Sequence, residues 1–198
     1  MTCGLILAAG ESRRMGSPKA LLEYRGETFL DRLIGLFARR CSPVIAVLGA
    51  QREIVRAGLR RAEEAVLVEN PDFRLGQLTS MQCGLRAVPA EADGVLFTLV
   101  DHPAVTPATI DVLLDCDAAA PLRIPRYDGR RGHPLWISKS LIPEFLALPA
   151  GTSAREVVTR HASEIAYIDV DDPGILAAFR AALGGTNAPK IVDRPLLH

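Results

Sequence analysis

Leu5-Ile6-Leu7-Ala8-Ala9-Gly10-Glu11-Ser12-Arg13-Arg14-Met15-Gly16-Ser17-Pro18-Lys19 is the stretch from which the fold is read. The apolar run from Leu5 to Ala9 stops abruptly at Gly10. A short all-apolar run near a chain start has the pattern of a parallel strand buried on both faces. Glycine, having no Cβ, lets backbone approach a ligand closely. Arg13, Arg14 and Lys19 lie on a loop leaving that strand, so they face water or an anion. Open α/β sheets bind ligands at the carboxyl ends of their strands. The stretch therefore predicts a polyphosphate cradle there. An ordinary strand-to-helix turn with solvated cations is the alternative that spacing alone leaves open.

The loop is neither of the two commonest phosphate loops. A Walker A loop has Lys directly after its second glycine, whereas Lys19 follows Gly16 by three residues; a Rossmann loop needs G-x-G-x-x-G. Pro18 has a fixed φ and no N–H, which stiffens the end of the loop and presents Lys19 at a set angle.

Working outward, 198 residues suit one α/β domain with a single core. Hydrophobic residues make up 48% and aromatics only 5%, so that core is mainly aliphatic. Net charge is zero, from 23 basic and 23 acidic residues, which argues against nucleic acid or an anionic membrane surface as the main partner. Cys3, Cys41, Cys83 and Cys116 are far apart and read as buried thiols of a reducing compartment, not as a zinc site or disulfide set. No apolar run approaches a membrane span, and the first residues lack a charged region followed by a signal core. A cytoplasmic location is expected.

Along the chain, strand and helix patterns alternate. Thr28 to Asp31 is a capping-box-like start with Asp in place of Glu, followed by Leu30, Leu33, Ile34 and Phe37 at helical spacing. Pro43 to Gly49 and Ala65 to Val68 read as strands, with an amphipathic helix over Gln51 to Ala62 between them. Glu69 to Ser80 is a polar loop running into an apolar helix through Leu85. Gly94 to Val100 is the clearest central strand, and it delivers Asp101-His102-Pro103. A carboxylate at that place, facing converging phosphates, suits Mg²⁺, which takes one or two carboxylates plus phosphate oxygens and water. The alternative is a carboxylate that merely caps the next turn. Thr106-Pro107 starts a helix. Leu122 to Tyr127 and Gly132 to Ser138 form a hairpin around Asp128-Gly129, with Trp136 in the core. His102 reads as a packing residue; His133 is either a structural histidine or a substrate contact. Ser153 to Glu156 has capping-box spacing, Glu164 to Val170 is a last strand, and Asp172-Pro173 caps a final helix from Ile175 to Leu183. Residues 1–183 are thus one domain, and 184–198 a peripheral tail.

The segment Leu7 to Leu22, Leu-Ala-Ala-Gly-x-Ser-x-Arg-Met-Gly-x-Pro-Lys-x-Leu-Leu, resembles the signature of nucleotidyltransferases related to molybdenum cofactor cytidylyltransferase, the MobA-like NTP transferase domains. Asn70-Pro71, Gly76 to Leu85, Asp101-x-Pro103 and Gly132-His133-Pro134 resemble further segments of that family. The resemblance implies a Rossmann-like three-layer α/β/α fold with a mostly parallel sheet and a small hairpin excursion. It implies Mg²⁺ as cofactor and an NTP and a phosphate-bearing acceptor as substrates, with a nucleoside monophosphate transferred and pyrophosphate released. Arg14, Lys19 and Asp101 are then the catalytic residues. Leu7, Ala8, Ala9, Gly10, Asn70, Gly76, Gln77 and Ser80 join Arg14 and Lys19 around the nucleotide. His133 and Arg155 contact the acceptor, and Asp101 and Asp169 hold the metal.

Ala9 stands where guanylyl relatives usually have a second glycine, which favours CTP; the family resemblance favours molybdopterin as acceptor. Where the cytidylyltransferases have Gly-Asp-x-Gly-Ala-Arg, this chain keeps Gly151, Ala154 and Arg155 without the Asp. The resemblance also admits a molybdoenzyme or chaperone as a partner. Two alternatives stand beside it: a sugar-phosphate or alcohol-phosphate nucleotidyltransferase, and a non-catalytic nucleotide-binding regulator.

Overall fold

The computed structural model describes residues 1–11, 17–117, 119–181 and 191–192. Strand β1 (Thr2–Ala8) carries the apolar run and is buried from Cys3 onward. It lies in parallel register between β4 (Val44–Leu48) and β6 (Gly94–Leu99), pairing Leu5 with both Ile45 and Phe97. Two short strands, β2 (Glu23–Tyr24) and β3 (Glu27–Thr28), make a separate antiparallel hairpin. The main sheet is completed by β5 (Val66–Glu69), β7 (Leu122–Tyr127), β8 (Arg130–Arg131), β9 (Leu135–Ser138) and β10 (Ile165–Asp169). Its order is β10-β7-β9-β6-β1-β4-β5, with β8 paired to β7. Strand β9 runs antiparallel to both β6 and β7, the expected hairpin excursion inside an otherwise mainly parallel sheet. A last pair, β11 (Arg180–Ala181) with β12 (Ile191–Val192), stands apart from it.

Helices cover both faces, which is why β1, β4 and β6 read as continuous apolar runs. Ile6 and Ala8 join Val44, Ala46, Leu48 and Leu96 under α1 (Phe29–Ala38), α2 (Arg52–Gly58) and α4 (Pro107–Asp115). Cys3, Leu5 and Leu7 join Ile45, Val47, Val95 and Phe97 under α3 (Gln77–Arg86), α5 (Ile142–Ala147) and α6 (Arg155–Arg160). The alternation of odd and even residues of β1 between two cores is the period-2 geometry of a strand. Among the described residues no helix is long and apolar enough to cross a membrane.

Several local expectations are corrected. Helix α2 ends at Gly58, four residues short of the predicted Ala62, and the chain goes on from an extended Leu59. Only Cys3 and Cys41 are buried; Cys83 and Cys116 are partly exposed. Trp136 is partly buried, with the Arg123 guanidinium 4.2 Å from its ring centre. Ser153 Oγ accepts from Arg155 N at 3.3 Å, a local turn in place of the reciprocal capping box. The final helix from Ile175 does not form either. A 3₁₀ turn over Pro173–Ile175 leads into extended chain up to β11. The helical bond from Phe179 N to Ile175 O is replaced: Ile175 O accepts from His133 N at 3.0 Å, and Phe179 N donates to Asp101 O at 2.8 Å. Of the tail from residue 184, only Ile191 and Val192 fall within the described residues.

Thr28 caps α1 by accepting from Asp31 N at 3.1 Å, and Asp31 Oδ2 reaches back to accept from Thr28 Oγ1 at 2.8 Å, on the side chain and not on the backbone N–H of a full capping box. Its buried carboxylate accepts from Arg60 N and Arg61 N at 3.0 and 2.9 Å, tying α1 to the chain beyond α2. Removing it leaves two backbone donors without an acceptor. Asp31→Ala is expected to cost about 2–3 kcal/mol, seen as a lower urea midpoint with an unchanged m-value.

Candidate active site

Strands β1 and β6 run parallel, so their carboxyl ends bring residues 9–19 and 99–103 to the same edge of the sheet. There Lys19, on a short 3₁₀ turn after Pro18, places Nζ 3.2 Å from Asp101 Oδ2. The lysine side chain is 27% exposed and the aspartate 17%. Asp101 Oδ1 is buried and has no hydrogen-bond partner, and His102 Nε2 stands 3.7 Å from it. Residues 82 positions apart thus meet in one cleft, as the cradle reading requires. Arg13 and Arg14 lie outside the described residues.

A cavity of about 280 Å³ opens above this pair. Leu7, Ala8, Ala9, Gly10, Lys19, Gln77, Ser80 and Asp101, all expected at the site, line it. A Cβ built on Gly10 would meet nothing within 4 Å, so the turn leaves open space where a ligand approaches. Phe73 and Pro18 also line it and were not expected. Phe73 offers an aromatic face; its only signal was a lone aromatic in a polar loop after a strand.

Asn70 and Gly76 act from behind this wall. Buried Asn70 donates from Nδ2 to Thr79 Oγ1 at 3.0 Å and Ser80 Oγ at 2.9 Å, and its Oδ1 accepts from Asp72 N at 2.9 Å. It therefore holds the first turn of α3, which carries Gln77 and Ser80. Gly76 precedes α3 at φ +117° and ψ 170°, a conformation essentially reserved for glycine.

A second cavity, about 470 Å³, shares Leu7, Gln77 and Leu99 with the first. His133 and Arg155, the two residues expected to contact an acceptor, both line it, with Met81, Phe97 and Leu135 supplying much of its apolar wall. His102 and His133 stack with ring centres 4.6 Å apart, and the Nδ1 atom of each is buried without a partner. Burial lowers both imidazole pKa values. For His102 the neighbouring Asp101 opposes that shift while Lys19 adds to it. His133 is pushed down to about 3, with His102 reinforcing burial and Asp101 opposing it. The pair is neutral at physiological pH; His133 lines the second cavity and His102 stands beside Asp101 of the first, a placement that a reading of His102 as simple packing did not contain.

Asp169 is not brought to Asp101. Strand β10 is the sheet edge, three strands from β6, roughly 14 Å at the usual inter-strand spacing. Its carboxylate is 70% exposed and paired with Arg126 through bonds of 2.7 and 2.9 Å, which hold it well below the usual carboxylate range. Among the described residues no group of three or more His, Cys, Asp and Glu is placed to hold a metal. Asp169 is paired with a cation of β7, and Lys19 is the cation beside Asp101.

The family profile of the MobA-like NTP transferase domain matches residues 4–165. The chain belongs to that family. It is 33% identical over 168 residues to nicotine blue oxidoreductase of Paenarthrobacter nicotinovorans, covering 79% of this chain and 80% of the relative. It is 29% identical over 159 residues to the molybdenum cofactor cytidylyltransferase of Escherichia coli (strain K12), covering 78% and 79%. Among solved structures, Rv0371c from Mycobacterium tuberculosis H37Rv matches with a TM-score of 0.74 at 28% identity, over 97% of this chain and 92% of that one. A complex of Rv0371c with manganese matches with a TM-score of 0.70 at 29% identity, over 85% and 88%. These matches and the sheet order make the fold the Rossmann-like nucleotidyltransferase fold.

The histidine pair has a measurable consequence. Between pH 6.5, the ordinary histidine value, and about 3, the unfolded chain binds a proton at His133 that the folded chain refuses. Stability therefore falls as pH falls through that window, by about 1.4 kcal/mol per unit for this group. Urea midpoints measured from pH 7 to pH 4 are expected to fall less steeply in His133→Gln than in the wild-type chain.

Proposed function

We propose that the cleft transfers a nucleoside monophosphate from an NTP to a phosphate-bearing acceptor and releases pyrophosphate, with CTP and molybdopterin the favoured pair. The observation that carries this reading is the 3.2 Å contact of Lys19 with Asp101 on the wall of the first cavity. A bare carboxylate facing a polyphosphate would repel it unless a cation lay between them. The buried, unpartnered Asp101 Oδ1 fits a divalent cation, expected to be Mg²⁺ and completed by phosphate oxygens and water. Such an ion, when bound, neutralises charge that develops on the triphosphate. The manganese complex of Rv0371c supports a divalent ion in this fold.

In this reading the triphosphate lies along Ala8 to Gly10 and against Lys19, with Arg14 as a further phosphate ligand. The base and ribose lie toward Phe73, Gln77 and Ser80, and the acceptor enters the second cavity beside His133 and Arg155. An acceptor phosphate oxygen attacks the α-phosphorus, the bond to the α–β bridging oxygen breaks, and pyrophosphate leaves. A phosphate monoester, with a second pKa near about 6, is already anionic, so no general base is required. The chain's work is to hold two anionic reactants together and disperse charge on the leaving group. Ala9 and the E. coli relative support CTP.

A second reading, an oxidoreductase activity on an organic substrate, is favoured by the relative named nicotine blue oxidoreductase and by the largely apolar second cavity. Pyrophosphate release with each NTP, Mg²⁺ and molybdopterin, run beside NADH and NADPH oxidation with a conjugated dye, separates the two. CTP-dependent pyrophosphate release is expected; dye reduction without release would overturn the transfer reading.

Asp101→Asn and Lys19→Ala are each expected to lower kcat by about 10²–10³-fold. Melting temperatures should stay within about 5 °C of wild type, since neither change touches the core. Near-normal turnover in Asp101→Asn would remove the metal role.

A further inference from the structure

The segment from Asp172 to Phe179, read from sequence as the start of a helix, is instead a strap laid across the reaction centre. Its first anchor is buried Asp172. Oδ2 accepts from Thr106 N at 2.8 Å, Thr106 Oγ1 at 2.9 Å and Thr109 Oγ1 at 2.6 Å, while Oδ1 accepts from Gly174 N at 2.8 Å. Three of these bonds tie the strap to the N-cap and first turn of α4, the element that follows the Asp101 loop, and the fourth closes the strap's own turn. Gly174 then packs so closely that a Cβ would stand 2.3 Å from Ala104 O. Ile175 O accepts from His133 N, and Phe179 N donates to Asp101 O. The second anchor is the Phe179 ring, buried against Tyr24 and Phe29 with ring centres 5.1 and 5.6 Å away. Both rings belong to the hairpin and helix that follow the turn bearing Lys19.

We propose that this strap is the positioning element of the cleft: through Phe179 it sets the Asp101 backbone against the Lys19 side of the site, and through Ile175 it sets His133. The bonds from Phe179 N to Asp101 O and from His133 N to Ile175 O join site segments to one distant in sequence. The strap gives up its own helical bond, Phe179 N to Ile175 O, to make them. Phe179 and Asp172 line neither of these two cavities; they act through the residues they hold. The kinetic part of this inference rests on the nucleotidyl-transfer reading; the structural part does not.

The test compares wild type with Phe179→Ala, Phe179→Leu and Asp172→Asn. Amide hydrogen exchange reads local opening directly, without turnover. In Phe179→Ala, exchange across residues 101–105 is expected to rise at least about tenfold while β1 and β6 keep their protection. In pyrophosphate release, kcat is expected to fall about 10- to 100-fold with the NTP KM within about threefold, the signature of misplacement rather than lost binding. Phe179→Leu, which keeps the anchor apolar and large, is expected to restore kcat to within about threefold of wild type. Should Phe179→Ala fail to fold, Asp172→Asn carries the same exchange criterion. Unchanged exchange at 101–105 in the folded variants, or equal loss of kcat in Phe179→Ala and Phe179→Leu, would overturn the strap. A wild-type chain that releases no pyrophosphate from any NTP would instead overturn the transfer reading, and the exchange arm would still decide the strap.

Discussion

Burial of β1 on both faces is the constraint from which the rest of the molecule follows. Leu5, Ile6 and their neighbours are apolar on either side, so helices must cover both faces of the sheet. The same strand is flanked by β4 and β6 in parallel register, so crossover connections are forced and all three carboxyl ends open at one edge. A loop leaving β1 and a loop leaving β6 then emerge side by side. Lys19 and Asp101 meet because their strands are neighbours, not because they are close in sequence.

The electrostatics of the cleft are those of a site waiting for charge. Lys19 occupies one oxygen of Asp101 and leaves the other buried and bare. A buried carboxylate oxygen without a partner is costly in a structure that serves only stability. The neutral histidine pair beneath it is the complementary case. Burial keeps both imidazoles uncharged, and each leaves a buried Nδ1 without a partner. The first cavity thus carries the Lys19–Asp101 pair, and the second is lined mainly by apolar side chains.

The Asp172 to Phe179 strap shows how chain near the carboxyl end completes a site begun near the amino end. Asp172 is buried and fully satisfied, whereas half-buried Asp101 keeps one oxygen without a partner, and that contrast separates the two carboxylates by role. Asp169, three residues earlier, is spent on Arg126 at the sheet edge. Three acidic residues of similar appearance in sequence therefore differ by what surrounds them: one held by backbone and hydroxyl donors, one by a guanidinium, and one half-open in the cleft.

What could be read from sequence was whatever depends on local pattern. The apolar runs of β1, β4 and β6, Gly10, the Thr28 cap and the length of the Leu7 to Leu22 motif identify an α/β nucleotidyltransferase domain, because periodicity, glycine and capping are properties of a few adjacent residues. Only the tertiary structure decided which carboxylate faces the cleft, that Asn70 and Gly76 support α3 from behind, that His102 stacks on His133, and that the chain after Asp172 straps the site. The physical reason is the same in each case. A hydrogen-bonding group takes the best partner that folding brings to it, and Arg126, Asp101 and His133 reach Asp169, Phe179 and Ile175 only once the sheet has set its strand order.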